Sequence, residues 1–133
     1  MAALDTNVLV RLLVEDDAAQ FAYAKALVDR TQQRAEILFV PVTVMLELEW
    51  VLRARYGFGK SAVLKALNAL LETRELEFQF EAALERALYA YRNNTVDFAD
   101  CLHTGLCGAH DRTPMLTFDA KAARLDGVQL LGQ

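Results

Sequence analysis

The feature that most constrains the fold is an alternation of short apolar segments with amphipathic stretches along the whole chain. The predicted strands are residues 2–4, 37–40, 76–80, 115–118 and 128–131. Strands that alternate with helices predict an α/β fold, with a mostly parallel sheet covered by helices on both faces and joined by right-handed crossovers. A chain of 133 residues is long enough to bury a core, so the sequence predicts one domain over residues 1–133.

Apolar residues recur at helical spacing between these strands, as amphipathic helices require. The predicted helices start after Asp5 and at Thr43, and they also cover residues 18–33, 60–71, 81–91, 97–109 and 120–125. The predicted helix that starts at Thr43 contains two glutamates. Each residue turns the helix by about 100°, so if Val44 marks the apolar face, Glu47 borders that face and Glu49 points to solvent.

Acidic residues fall at the ends of these elements. Asp5 and Asp119 each follow a predicted strand, Asp100 lies at the start of a helix with Asp97 one turn before it, and Glu47 borders a helix face. Ligand-handling residues of open α/β sheets lie at the carboxyl ends of strands. Asp5 and Asp97 also occupy positions at which an acid commonly caps a helix, and that role stays open as the alternative.

Convergence of the four acids Asp5, Glu47, Asp100 and Asp119 would need compensation. Two carboxylates about 5 Å apart repel by roughly 3 kcal/mol at an effective dielectric constant near 20. Bound cations would offset this repulsion, and an all-oxygen ligand set suits Mg²⁺ or Mn²⁺ rather than zinc. Such ions activate water for attack on a phosphate. The sequence contains no GxSxG, Walker or GxGxxG motif that indicates a competing chemistry.

Composition limits the remaining possibilities. Cys101 and Cys107 have no zinc-site spacing, and we expect small, reduced, buried or half-buried residues; His103 and His110 fit surface positions. The net charge of −4 argues against a uniformly basic face for duplex nucleic acid. No apolar run is long enough to span a membrane, and the N-terminus lacks the basic flank of a signal peptide, so we expect a soluble, cytoplasmic protein.

Four blocks of the sequence together resemble the PIN-domain ribonucleases, in particular the VapC toxins of bacterial toxin-antitoxin pairs. The blocks are LDTNVLVRLL, ELEWVLRARYGF, VDFADCLH and TFDAKAARLDGVQLL, which occur in this order over essentially the whole chain. The resemblance implies a three-layer α/β/α PIN-like domain whose five-stranded sheet has the order 3-2-1-4-5. Strands 1 and 4 would then be neighbours, which would bring Asp5 and Asp119 together.

The resemblance also implies roles for particular residues. Asp5, Glu47, Asp100 and Asp119 take the positions of the family's metal-binding and catalytic acids, and Asp97 that of an auxiliary acid. Thr6, Asn7 and Thr117 match polar residues that support those acids. The family relationship further implies an RNA substrate, a small VapB-like antitoxin partner and a homodimer.

We therefore expect a Mg²⁺- or Mn²⁺-dependent endoribonuclease that hydrolyses single-stranded or looped RNA. The candidate phosphate contacts are Arg11, Arg53, Arg55 and Lys121, although a solvated helix face explains each of them equally well. One alternative is a non-catalytic PIN-like module that binds RNA or protein. Another is a receiver-type signalling domain, which would need an acidic pair near the N-terminus and a Lys on a late strand, whereas Lys121 falls on a predicted helix.

Overall fold

The computed structural model describes residues 2–132, and the chain divides into two compact units, Met1–Gln79 (unit 1) and Phe80–Gln133 (unit 2). In unit 1 the elements run in the order α1 (Thr6–Leu13), α2 (Ala18–Gln33), β1 (Leu38–Val40), α3 (Val42–Ala54), α4 (Lys60–Leu71) and β2 (Leu76–Phe78). In unit 2 they run in the order α5 (Glu81–Asn93), α6 (Phe98–Ala109), β3 (Met115–Thr117), a 3-10 helix (Ala122–Arg124) and β4 (Val128–Leu130). The α/β class is confirmed, and the single-domain assignment stays a prediction.

The strands pair in parallel within each unit, as the alternation with helices predicted. In unit 1, β1 lies beside β2, and the chain returns to the same direction through α3 and α4. In unit 2, β3 lies beside β4, and the connection runs through the 3-10 helix. Parallel neighbours require such a crossover because a tight hairpin would reverse the chain. The full order of five strands stays a prediction.

The first predicted strand, residues 2–4, is shorter than a ladder strand. Ala3 forms an isolated parallel bridge with Phe39, supported by hydrogen bonds at 2.9 Å from the Leu4 N–H to the Phe39 carbonyl and from the Phe39 N–H to the Ala2 carbonyl. The extended segment cannot continue because Asp5 already caps α1. This bridge nevertheless places Asp5 directly after a segment that pairs with β1.

The prediction for the two glutamates of α3 was wrong. Glu49 is only 3% exposed, and its Oε2 accepts a hydrogen bond from Arg53 Nε at 2.8 Å, whereas Glu47 is exposed. The reason is that the buried arc of α3 is centred on Met45 rather than on Val44. At about 100° per residue, Glu49 lies about 40° from Met45, and Glu47 lies about 160° away.

In unit 2, α5 and α6 pack closely around small and aromatic residues. Phe98, at the start of α6, is 1% exposed, and its ring meets that of Tyr91 edge-on with the centroids 5.4 Å apart. Further along α6, a Cβ atom at Gly105 would lie 2.8 Å from the Ala83 carbonyl oxygen of α5. Gly105 is therefore required by the close approach of the two helix backbones.

We expect Gly105→Ala to destabilise the protein by about 1 to 3 kcal/mol, because a backbone carbonyl cannot move aside as a flexible side chain can. Gly108→Ala is the matched control on the same helix, since its Cβ would lie 3.6 Å from the end of the Arg86 side chain. Alanine favours helix over glycine by about 1 kcal/mol, so Gly108→Ala should be neutral or stabilising. Urea unfolding of both variants checks this difference, and equal midpoints would contradict it.

Both cysteines of the chain lie on α6. Cys101 is buried, Cys107 is half-buried, and neither forms a disulfide, as expected for small, reduced packing residues. Within residues 2–132, no helix combines the length and apolar character needed to cross a membrane.

Candidate active site

In unit 1, Thr6 connects the acids Asp5 and Glu47. Asp5 caps α1, and its Oδ1 accepts a hydrogen bond from the Thr6 N–H at 2.7 Å. The Thr6 hydroxyl, on a side chain that is almost completely buried, donates to Glu47 Oε1 on α3. Both carboxylates reach the surface. Thr6 thus contacts two acids that lie far apart in the chain. Asn7, the next residue, is exposed in the first turn of α1.

In unit 2, Asp97 and Asp100 lie at the N-terminal end of α6. Asp97 is the residue before the helix, and its carboxylate makes no capping hydrogen bond to the backbone of α6. Its exposed carboxylate is therefore not used as a helix cap, which was the alternative role considered for it. Asp100 is half-buried in the first turn, where the positive end of the helix dipole favours a negative charge.

Asp119 follows β3 and is oriented by backbone groups. Its Oδ1 accepts hydrogen bonds from the N–H groups of Lys121 at 2.8 Å and Ala122 at 3.3 Å. The Thr117 hydroxyl accepts a hydrogen bond from the Asp119 N–H at 3.0 Å, which fixes the turn. Asp5 and Asp119 therefore share one arrangement, in which a carboxylate at a strand end is held through a single oxygen. A carboxylate has about four lone-pair positions, so this bonding leaves capacity for a cation.

The donor chemistry of these residues fits a hard divalent cation, because every candidate ligand is a carboxylate oxygen. Taken separately, neither residues 2–79 nor residues 80–132 bring three or more His, Cys, Asp or Glu side chains into an arrangement that could hold a metal ion. A site made of Asp5, Glu47, Asp100 and Asp119 needs both units and remains a prediction.

The sequence model of the PIN domain matches residues 2–128 of this chain. The chain belongs to the PIN domain family. The match contains all five acids described above and both of the threonines that contact them. The acids that end strands or start helices in this structure are therefore part of a PIN domain.

Two known proteins are similar to this PIN domain. A VapC ribonuclease of Aquifex aeolicus is 24% identical over 102 residues, which cover 77% of this chain and 75% of the relative. A crystal structure of VapBC2 from Rickettsia felis, bound to a DNA fragment from their promoter, covers 97% of this chain and 96% of the solved chain. That similarity has a TM-score of 0.40 at 18% identity.

Arg11, a candidate phosphate contact of this PIN domain, is held in a network of unit 1. Its Nη1 donates hydrogen bonds to Asp16 Oδ1 at 3.1 Å and to the Tyr56 hydroxyl at 3.2 Å. Its Nε donates to the side-chain oxygen of Gln20. The Tyr56 hydroxyl in turn donates to Asp16 Oδ2 at 3.0 Å. The hydrogen bond with Tyr56 raises the pKa of the Arg11 guanidinium above its ordinary value, and Asp16 adds to the shift. These contacts join α1 to the turn that follows it, to α2 and to the segment just after α3.

The other basic candidates differ in how they are held. Arg53 forms the ion pair with buried Glu49, and the Arg55 guanidinium lies 5.5 Å from the centre of the Trp50 ring. The side chain of Lys121 is exposed beside Asp119. Arg53 and Arg55 thus have partners on α3, whereas Lys121 adjoins one of the candidate acids.

Arg124 is a residue that the sequence did not single out. It lies in the 3-10 helix that follows Asp119, and its Nη1 donates to the Thr95 hydroxyl at 3.1 Å. Thr95 is two residues before Asp97. The hydrogen bond thus joins the two segments of unit 2 that carry candidate acids. A pairing between side chains 29 residues apart leaves no local pattern by which the sequence could reveal it.

Proposed function

We propose that this PIN domain is a Mg²⁺- or Mn²⁺-dependent endoribonuclease and the toxin of a VapBC-type toxin-antitoxin pair. The observation that carries the proposal is the contact of Thr6 with both Asp5 and Glu47, because it holds two of the expected acids together on the surface of unit 1. The similarity to a VapC ribonuclease of Aquifex aeolicus supports the choice of RNA as substrate.

In this proposal Asp5, Asp100 and Asp119 bind the cation, and Glu47 completes the ligand set or orients the attacking water. Asp97 supplies auxiliary negative charge beside Asp100. When bound, the ion lowers the pKa of water and neutralises charge that develops on the phosphate. Backbone N–H groups fix the carboxylates of Asp5 and Asp119, so little reorganisation is needed at these two residues.

The supporting residues hold the acids in place. Thr6 orients both Asp5 and Glu47, Thr117 fixes the turn that carries Asp119, and Asn7 is free to reach the same surface from α1. The proposed products are a 5′-phosphate and a 3′-hydroxyl. The proposal includes the three-layer fold with strand order 3-2-1-4-5, a homodimer, a VapB-like antitoxin and a cytoplasmic location.

A non-catalytic PIN module that only binds RNA or protein is the second candidate. It fits the family match as well as a nuclease does, because the match over residues 2–128 identifies a PIN domain and not an activity. The two candidates differ in what they require of the acids: a nuclease needs them to share a cation, whereas a binding module does not.

Incubation of the purified protein with an unstructured RNA pool in Mn²⁺, Mg²⁺ or EDTA separates these candidates. The nuclease should produce fragments in Mn²⁺ or Mg²⁺ and none in EDTA, and the fragments should carry 5′-phosphates that permit direct ligation. Intact RNA under every metal condition would reject the nuclease and support the binding module.

We expect Thr6→Val to lower the cleavage rate by about 10- to 100-fold, because groups that orient metal ligands typically contribute this much. Valine retains the branched shape of threonine but cannot donate a hydrogen bond to Glu47. Thr6→Ser is the control because it keeps the hydroxyl, and its rate should stay within a few-fold of the wild type. Mn²⁺ affinity measured by calorimetry should fall for Thr6→Val alone. Full activity of Thr6→Val would remove this residue from the mechanism.

A further inference from the structure

Unit 2 contains a cavity of about 500 Å³ that the proposed cleavage chemistry does not use. Its polar lining residues include Arg86 and Tyr89 from α5, Thr104 from α6, and Arg124 and Asp126 from the segment that follows β3. Every lining residue belongs to unit 2, so the cavity is a feature of that unit alone.

Small residues leave the space in which the cavity forms. Cys101, Gly105 and Gly108 of α6 contribute to its wall, and their short side chains leave room beside α5. The position that a Cβ atom of Gly108 would occupy is 3.6 Å from Arg86 Nη1. The Arg86 guanidinium therefore lies against the backbone of α6 at the cavity wall.

The cavity is positively charged, although the protein has a net charge of −4. Arg86 and Arg124 line it together with one acid, Asp126, so two positive charges and one negative charge leave a net charge of +1. Arg86 makes no ion pair or side-chain hydrogen bond with any other described residue, and Arg124 donates to Thr95 through Nη1. Each guanidinium has five N–H donors in a planar fork that matches phosphate oxygens. Donors thus remain for an anionic ligand.

An aromatic residue accompanies the two arginines. Tyr89 lines the cavity and is 70% exposed, so its ring is accessible to a ligand. Basic groups that follow a backbone, combined with an aromatic ring on which a base stacks, are the usual means of binding single-stranded nucleic acid. A base paired within a duplex is stacked on its neighbours and cannot stack on such a ring. The chemistry of the cavity thus favours an unpaired strand.

We propose that this cavity binds a single-stranded segment of RNA next to the cleavage site, with Arg86 and Arg124 on backbone phosphates and Tyr89 stacked on a base. The hydrogen bond between Arg124 and Thr95 supports this location, because it joins the segment after Asp119 to the segment before Asp97. The choice of RNA as the ligand rests on the proposed function. The preference for single-stranded over duplex RNA is assigned to residues outside the acid cluster.

RNA binding can be measured apart from cleavage. We suggest fluorescence anisotropy of a labelled polyuridine strand with the full chain in EDTA, where the proposed nuclease is inactive. The cavity variants are Arg86→Gln, Arg124→Gln and Tyr89→Ala. The matched controls are Arg92→Gln, an exposed arginine on α5 outside the cavity, and Tyr23→Ala, an 80% exposed tyrosine on α2.

Tyr89→Ala should weaken binding about tenfold, as expected for the loss of one stacked base. Each arginine variant should weaken binding and reduce the slope of log K against log salt by about 0.7, since one phosphate contact is lost. Both controls should bind like the wild type. Thermal melting of every variant identifies any that fails to fold. If one arginine variant fails to fold, the other still tests the inference.

Three outcomes would overturn the inference. The cavity variants could bind polyuridine as tightly as the controls, duplex RNA could bind as tightly as the single strand, or uridine monophosphate could occupy the cavity with the same affinity as polyuridine. The last outcome would identify a free nucleotide as the ligand. If the cavity variants lose binding but wild-type protein never cleaves RNA in Mn²⁺, the proposed nuclease fails and the RNA-binding cavity stands. If RNA is cleaved and the cavity variants bind normally, only the inference fails.

Discussion

The Asp5→Asn variant should fold normally but cleave RNA more than about 100-fold more slowly than the wild type. Groups that only orient metal ligands contribute about 10- to 100-fold, and Asp5 is proposed as a ligand itself. Asparagine caps helices about as well as aspartate, so the hydrogen bond from the Thr6 N–H to position 5 can be kept. The substitution therefore removes one negative charge with little change to α1.

The control for Asp5→Asn is Asp29→Asn. Asp29 forms an ion pair with Lys25 at 3.8 Å, and both side chains are more than half exposed. Loss of this ion pair should therefore have little effect on stability or on the cleavage rate. Cleavage rates in Mn²⁺ and thermal melting in EDTA should be measured for both variants. Retained cleavage by Asp5→Asn would exclude Asp5 from the mechanism. A large drop in its melting temperature would show that the residue acts mainly through the fold.

Phe98→Ala should destabilise the protein by about 3 to 5 kcal/mol, the range measured for truncation of buried aromatic residues. Phe98 is 1% exposed, lies between Asp97 and Asp100 in sequence, and packs edge-on against Tyr91. A domain of this size is stable by about 5 to 15 kcal/mol, so the loss is a large part of the total. Since Phe98 anchors the start of α6, the variant should also cleave RNA more slowly.

Phe118→Ala is the matched control because it removes the same side chain from unit 2 at a position that is 83% exposed. Its stability should change by no more than about 0.5 kcal/mol. Urea unfolding should show a lower midpoint with an unchanged slope for Phe98→Ala only. A shift of similar size in both variants would mean that burial of Phe98 does not anchor α6.

Periodicity in the sequence was sufficient to predict the six α-helices within residues 2–132 and the parallel pairing inside each unit. The predicted helix over residues 120–125 was wrong in type and length, since only a 3-10 helix, Ala122–Arg124, forms there. Helices α2 and α4 have the predicted bounds, because their apolar spacing is continuous and their ends carry clear signals. The first strand was predicted less well, since its length depends on pairing with Phe39 and on the start of α1. Tertiary contacts of this kind leave little trace in a local pattern.

The positions of the acids could be predicted, but their surroundings could not. The sequence placed Asp5 and Asp119 at strand ends, and the structure adds that Thr6 and Thr117 contact them. The exposure of Glu47 and Glu49 is the reverse of the predicted one. Helical spacing fixes the angle between two side chains, but the direction of the core must come from packing, here centred on Met45.

Charged residues were the least predictable part of the site. Arg11 looked available for phosphate, but it is held by Asp16 and Tyr56, the second of which is 45 residues away. Arg124 drew no attention in the sequence and proves to bridge to Thr95. Long basic side chains can reach several partners, so their contacts depend on the assembled fold rather than on sequence spacing.

In the proposed mechanism, Asp5, Glu47, Asp100 and Asp119 share one cation centre. Anomalous diffraction from crystals soaked in Mn²⁺ would locate the ion itself. We expect a Mn²⁺ peak about 2.0 to 2.2 Å from carboxylate oxygens of Asp5, Asp100 and Asp119, with Glu47 bound to the ion or to its water. A crystal in which Mn²⁺ binds elsewhere and the carboxylates of Asp5 and Asp119 point to separate regions would contradict the claim.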